Sequence, residues 1–170
     1  YSHLKKLNKN ISFIWRNKNK ETCLKTLIKL RNFCNKNNRK FYIHNNIKLA
    51  YKMNADGLYI SSNNKNLTIG SNKLKKKFKL LGSAHNLKEI KIKEIQKVSE
   101  IFLSPLFKNK KNKRLDIYKY LNLRKITRMR DISLGGINKK NIKKLKLIKP
   151  FGFAGISFFE KKKAPIKGAF

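Results

Sequence analysis

Several groups of residues in this chain have the types and spacing to handle a phosphorylated small molecule. Ile14, Arg16 and Lys18 alternate within the segment IWRNK, and a two-residue period puts all three on one side of a strand. The guanidinium offers a fork for phosphate oxygens and the ammonium a point charge. Ser83-Ala84-His85 supplies a hydroxyl and an imidazole that can take and return a proton near neutrality. In Ser104–Lys113, Pro105 and Phe107 are followed by Lys108, Lys110, Lys111 and Lys113, a loop dense in cations. Gly135-Gly136 and Gly155-Ile156-Ser157 would let backbone N–H groups approach phosphate oxygens closely. Each group also has a plainer use, as solvated surface cations or as glycines in tight turns.

Bringing these groups together requires a scaffold that returns the chain repeatedly to one rim. Short runs rich in β-branched and aromatic residues recur at Ile11–Arg16, Lys40–His44, Gly57–Ser61, Lys79–Ala84, Glu100–Ser104, Asp131–Gly136 and Phe153–Phe158. Their nearly continuous apolar character suits strands buried on both faces of a parallel sheet. Helical patterns fill the gaps at Glu21–Cys34, Ile47–Met53, Leu87–Val98, Ile117–Met129 and Lys140–Ile148, with Asn86 and Asn138 placed as N-caps. In the first of these, positions 23, 24, 27, 30 and 34 form one apolar stripe opposite Lys and Arg. Cys23 and Cys34 both lie on that stripe, which reads as core packing rather than metal or redox chemistry.

Strands alternating with helices describe an α/β protein with a parallel sheet, either open and doubly wound or closed as a (β/α) barrel. A closed barrel needs eight strands and usually about 200 residues or more. Ser2–Lys9 reads as the helix preceding the first visible strand, and the chain opens at Tyr1. The expectation is therefore a TIM (β/α)8-type barrel lacking its first strand, with residues 1–170 as one domain.

Charge is the unusual quantity. The chain carries 44 Lys and Arg against 8 Asp and Glu, a formal net charge of +36, which ordinarily points to nucleic acid. Only 7 of the cations are Arg, while Asn (21) and Ile (19) are abundant, a composition that A/T-rich codons alone would produce. The cations also spread along the whole chain instead of gathering in a patch. Nucleic acid is therefore not expected as the main partner, although the field favours any phosphorylated ligand. No apolar run approaches the about 20 residues of a membrane span, no signal-peptide pattern opens the chain, and two cysteines build no disulfide scaffold. These features point to a soluble cytoplasmic protein.

In its order of short segments, the chain resembles the thiamine phosphate synthase/TenI family. The resemblance runs over nearly the whole length through IWRNK, YIHNNIKLAYKMNADGLYISS, GSAHNLKE, LSPLFKNKKNK, LGGIN and GFAGISFF. It implies a (β/α) barrel with ligands at the C-terminal ends of its strands. It also implies a reaction in which a pyrimidine methyl diphosphate loses diphosphate and a thiazole phosphate captures the carbocation through its ring nitrogen. By this resemblance Arg16, Lys18, His44, Asn45, Ser83, Lys111 and Lys113 fall at diphosphate positions. Gly135, Gly136, Gly155, Ile156 and Ser157 fall in the cradle for the thiazole phosphate.

The resemblance further implies Mg²⁺, held by an Asn–Asp pair after one strand and a second acid after the next. Here those places hold His44-Asn45 and the Ser62–Asn63 run, so Asn45 and Asn63 stand where carboxylates are expected. Mg²⁺ binds mainly through charged oxygens, and amide carbonyls alone are a poor replacement. The nearest acid, Asp56, belongs to an ADG turn where the family uses it structurally. Three functions follow from the resemblance: a divergent synthase, a metal-independent thiazole tautomerase with His85 as proton carrier, or a catalytically degenerate phosphate- or polyanion-binding relative.

Overall fold

The computed structural model describes residues 2–16, 24–71, 74–108, 114–156 and 158–159. After a short helix α1 (Ser2–Lys5), strands and helices alternate: β1 (Phe13–Trp15), α2 (Leu24–Lys36), β2 (Phe41–His44), α3 (Ile47–Lys52), β3 (Gly57–Ile60), β4 (Lys79–Ala84), α4 (Leu87–Ile95), β5 (Glu100–Leu103), α5 (Ile117–Ile126), β6 (Arg130–Leu134), α6 (Leu145–Ile148) and β7 (Gly152–Ala154). All seven expected strands are present. They pair in unbroken order from β1 to β7, every pair parallel, in one sheet curled as part of a barrel. The expected α/β, TIM-like fold is the one the chain adopts.

The period of two along each strand divides the side chains into two cores. Tyr42, Tyr59, Leu81, Phe102 and Ile132 face inward and pack with Ile14, Leu134 and Ala154 to fill the barrel. The alternate residues Phe41, Ile43, Leu58, Ile60 and Leu80 face outward onto Leu27, Phe33, Cys34 and Ala50 of α2 and α3. Farther along the sheet, Ala84, Ile101 and Leu103 meet Ile90 of α4 and Tyr120 of α5. Fully burying each large apolar side chain contributes about 1.5–3 kcal/mol, so both faces anchor the sheet. At the N-terminal ends of the strands Glu100 of β5 pairs with Lys79 of β4 (3.4 Å) and Arg130 of β6 (2.8 Å).

Strand β4 keeps its expected bounds and α2 runs on to Lys36, but several other elements are shorter than the apolar pattern predicts, for local reasons. The ladder begins at Phe13 opposite Phe41 and stops after Trp15, so Ile11, Ser12 and Arg16 flank β1. Gly135 and Gly136 take positive φ and leave β6, and β7 ends at Ala154. Helix α4 stops at Ile95 before Lys97 turns left-handed, and α5 stops at Ile126 before the extended Thr127. The helix expected over Lys140–Ile148 divides into a 3-10 turn (Ile142–Lys144) and the four residues of α6. Asn86 does cap α4 by accepting from the Glu89 N–H (2.9 Å), while Asn138 accepts from Lys140 and Asn141 and caps the turn ahead of the 3-10 segment.

In α2 the stripe shifts. Leu24 is 49% exposed rather than buried, whereas Arg31 and Phe33 are buried beside Leu27 and Cys34. Phe33 meets the Phe13 ring edge-on at 6.1 Å, and Arg31 turns inward because its guanidinium finds acceptors there. It donates to the carbonyls of Met53 (3.2 Å) and Asn54 and pairs with Asp56 (3.3 Å). Cys34 packs in the core as expected, its thiol pushed up to about 11 by burial; Cys23 lies outside the described residues.

Asp56 thus has a structural role. It takes Arg31, Lys40 (2.8 Å) and the Phe41 N–H (3.1 Å) and ties α2 to the entry of β2. Removing it strands a buried guanidinium. Urea denaturation of Asp56→Ala is expected to show a loss of about 2 kcal/mol, with binding of phosphorylated ligands unchanged once the protein is folded.

Candidate active site

The inward row of the barrel becomes polar at the C-terminal ends of the strands. Arg16 follows β1 directly, His44 closes β2, Tyr59 sits opposite it in the β2–β3 register, and Ser83 lies near the end of β4. The His44 and Tyr59 rings are 5.8 Å apart. The Tyr59 phenol is pushed up by burial, against which a hydrogen bond with the Ser83 side chain and the charge of Arg16 pull down. Burial, then the positive charge of Arg16, lowers His44 below its ordinary value of 6.5, so the ring is neutral at pH 7. Its Nε2 is buried with no hydrogen-bond partner among the described residues. An unsatisfied buried polar atom costs about 1–3 kcal/mol, which a ligand oxygen arriving at the mouth would offset.

Beside this group stands a cluster of amides. Asn45 follows β2 with φ 53°, a conformation asparagine tolerates, and its N–H continues the ladder to the Tyr59 carbonyl (2.9 Å). Its Oδ1 accepts from the Ser61 N–H (2.9 Å) and the Asn64 Nδ2 (3.3 Å), while its Nδ2 donates to Ser61 Oγ (2.8 Å). The backbone donor fixes which way the amide points, because a flipped amide would set N–H against N–H. Asn63 stands apart from this cluster, exposed, with Oδ1 3.4 Å from Ser62 Oγ.

The loop bearing Asn64 is held from beneath. Lys93 and Gln96 of the α4 region are both fully buried. Lys93 Nζ donates to the Asn64 carbonyl (2.9 Å) and to Gln96 Oε1 (2.8 Å), and Gln96 Nε2 donates to the carbonyls of Asn64 (3.0 Å) and Asn66 (2.9 Å). Burial pulls the Lys93 ammonium from its ordinary 10.5 down to about 8, with Glu89 partly opposing.

His85 lies at the start of the turn into α4 with its side chain 45% exposed. Glu89 Oε2 accepts from the His85 backbone N–H (2.7 Å) and meets its Nδ1 at 2.9 Å. The carboxylate fixes the ring and favours the proton on Nδ1, which leaves Nε2 as the basic nitrogen.

The two glycines after β6 answer first to packing. A Cβ on Gly135 (φ +92°) would lie 2.7 Å from Pro105, and one on Gly136 (φ +70°) 2.5 Å from the Phe107 carbonyl. Leu106 and Phe107 donate to the carbonyls of Leu134 (2.8 Å) and Gly135 (3.1 Å), so the loops after β5 and β6 fold against each other. Gly155 carries no such constraint, since a Cβ there would only touch Phe158 at 3.4 Å, and Ile156 beside it is exposed. Lys18, Lys111, Lys113 and Ser157 lie outside the described residues.

Of the expected positions, the mouth therefore brings Arg16, His44, Asn45 and Ser83 together and leaves Asn63 aside. Sequence reasoning missed Tyr59, Asn64, Glu89 and the Lys93–Gln96 pair. For Tyr59 a signal existed, because its place two residues beyond Gly57 puts it on the inward face. Glu89, three residues after the N-cap Asn86 in an N-x-x-E pattern, was also readable. The Lys93 ammonium predicts a pH signature: lowered by burial, it makes the folded protein bind fewer protons than the unfolded chain above about pH 8. Unfolding free energy is expected to rise with pH between about 8 and 9.5 in the wild type, and Lys93→Met to lack that rise in urea titrations across the interval.

The thiamine monophosphate synthase family model matches residues 7–159. A thiamine-phosphate synthase from Pelagibacter ubique is 32% identical over 94% of this chain and 81% of its own length. One from Prochlorococcus marinus is 31% identical over 69% of this chain and 35% of its own length. Among solved structures, thiamine phosphate pyrophosphorylase from Pyrococcus furiosus superposes with a TM-score of 0.74 at 16% identity, covering 91% of this chain and 76% of that one. The enzyme of that name from Bacteroides thetaiotaomicron superposes at 0.60 and 18% identity, over 93% and 76%. With the match spanning nearly all of the barrel, from the segment before β1 to the residues after β7, the chain belongs to the thiamine monophosphate synthase family.

Proposed function

We propose that this protein couples a pyrimidine methyl diphosphate to a thiazole phosphate, with release of diphosphate, at the C-terminal mouth of the barrel. The C–O bond to diphosphate breaks and its electron pair leaves on the diphosphate oxygen. The thiazole nitrogen then supplies the pair that forms the new C–N bond to the cationic methylene carbon. The observation that carries this reading is the convergence of Arg16, the orphaned His44 Nε2, Tyr59 and Ser83 on one mouth. Family membership supplies the reaction class.

Arg16 and Ser83 hold the departing diphosphate, and by the family resemblance Lys18, Lys111 and Lys113 are assigned to the same anion. His44, uncharged at pH 7, donates from Nε2 to a phosphate oxygen without adding a proton to the balance. The backbone of Gly135, Gly136, Gly155, Ile156 and Ser157 receives the thiazole phosphate, in line with the general placement of phosphate after the last strands of such barrels. At Gly155, where packing leaves a Cβ room, the absence of a side chain suits a ligand.

Isothermal titration with thiazole phosphate, followed by assay of diphosphate release in the presence of both substrates, tests the proposal. Binding in the micromolar to millimolar range and turnover are expected, with Arg16→Gln lowering kcat/KM by about tenfold or more through loss of a charge-assisted contact. A folded protein that gives no heat with thiazole phosphate overturns it.

The Glu89–His85 pair favours a second reading, tautomerisation of a thiazole phosphate carboxylate by proton transfer through His85 Nε2. Glu89→Gln separates the two. It is expected to depress tautomerase turnover by about tenfold or more, with the pH–rate profile displaced, while diphosphate release is unchanged. Equal effects on both reactions would exclude a dedicated role for His85.

A further inference from the structure

The donor set at the mouth does not suit the Mg²⁺ that family membership implies. Among the described residues every carboxylate is engaged elsewhere. Asp56 holds Arg31 and Lys40, Glu89 holds His85, Glu94 holds Lys91, Glu100 holds Lys79 and Arg130, Asp116 caps α5, and Asp131 binds Tyr120 and Arg124. No three His, Cys, Asp or Glu side chains gather as a metal cluster among those residues. The amide oxygen of Asn45, at a position expected to be acidic, already accepts two hydrogen bonds and has no lone pair to spare for an ion. Mg²⁺ asks for octahedral oxygen ligands with one or two charged ones, and this cluster offers neither.

We infer that the Asn45–Ser61–Asn64 cluster is a neutral clamp that keeps the mouth open to a diphosphate anion without a divalent cation, the anion's charge being met by the Arg16 guanidinium, with the orphaned His44 Nε2 contributing a hydrogen bond. This rests on the reading of the mouth as a diphosphate subsite. Two features support it. First, exchanging carboxylate for amide removes the repulsion that obliges a diphosphate to arrive with a cation, so the residues expected to anchor the metal no longer create the need for it. Second, the clamp is preorganised. Lys93 and Gln96 grip the Asn64 carbonyl from the interior, Asn64 grips Asn45, and Asn45 grips both ends of Ser61. That chain of bonds runs from fully buried side chains to the rim and needs no ion at its centre. Little ordering cost is then left for the ligand.

The test is isothermal titration of the full chain with inorganic pyrophosphate, once in EDTA and once in excess Mg²⁺, at two ionic strengths. Thiazole phosphate is titrated into the same samples. The inference expects pyrophosphate affinity in EDTA to equal or exceed that in Mg²⁺ within about threefold. In EDTA, Arg16→Gln should weaken binding by about tenfold or more. Asn45→Asp restores a carboxylate of nearly identical shape; it should weaken metal-free binding by about tenfold and regain it when Mg²⁺ is added. Melting curves report whether each variant is folded, and Ser61→Ala provides an uncharged probe of the same clamp. Binding that appears only with Mg²⁺ overturns the inference. So does binding in EDTA that ignores both Arg16→Gln and Asn45→Asp and simply fades with salt, since that is attraction to the lysine-rich surface at large. Loss of thiazole phosphate binding with pyrophosphate binding intact would instead count against the proposed reaction and leave the clamp standing.

Discussion

A parallel ladder whose strands follow one another in chain order fixes where this molecule can do chemistry. Because β1 to β7 all run the same way, each strand delivers its last inward residue to the same rim, and the period of two decides which residue that is. Arg16, His44, Tyr59 and Ser83 are neighbours for that reason alone, although they span much of the chain. The same alternation sends Phe41, Ile43, Leu58 and Ile60 outward against the helices, so that packing is separate from the polar residues at the rim. The opposite end is closed by charge, with Glu100 between Lys79 and Arg130.

Within that frame the mouth is organised by neutral hydrogen bonds and by cations. Carboxylates are few in this chain, and each described one is consumed by a structural partner, most visibly Asp56 against Arg31 and Lys40. What replaces acidic chemistry at the rim is a chain of amides rooted in a buried lysine and glutamine. Burying Lys93 is costly, as its lowered ammonium shows, and two acceptors compensate, Gln96 Oε1 and an Asn64 carbonyl that Gln96 Nε2 also reaches. A net charge of +36 surrounds this rim with a positive field that favours any phosphorylated ligand.

The fold was legible in the sequence because buried parallel strands leave an unmistakable mark. Each of the seven apolar runs proved to be a strand, and the helices fell between them. Boundaries were less legible. The apolar run through Asp131–Gly136 outlasts β6 because its glycines are shaped by the Pro105–Lys108 loop, which no local pattern reveals. Leu24, the first residue of α2, looked like core and is exposed, while Arg31 takes a buried place because Met53, Asn54 and Asp56 offer acceptors from outside the helix. The individual rim residues were legible through resemblance of short segments, and Arg16, His44, Asn45 and Ser83 do meet at one mouth.

Local physics in the chain, meaning apolar periodicity, capping asparagines and the scarcity of acids, determined the class of fold, the order of its strands and the poverty of metal ligands. Only packing in three dimensions decided that Tyr59 would stand over His44, that Glu89 would orient His85, and that Lys93 and Gln96 would reach across to grip the loop of Asn64. The division has a physical cause. Periodicity is a property of neighbours along the chain, whereas a satisfied buried ammonium depends on acceptors 29 residues away that only the folded barrel brings within reach.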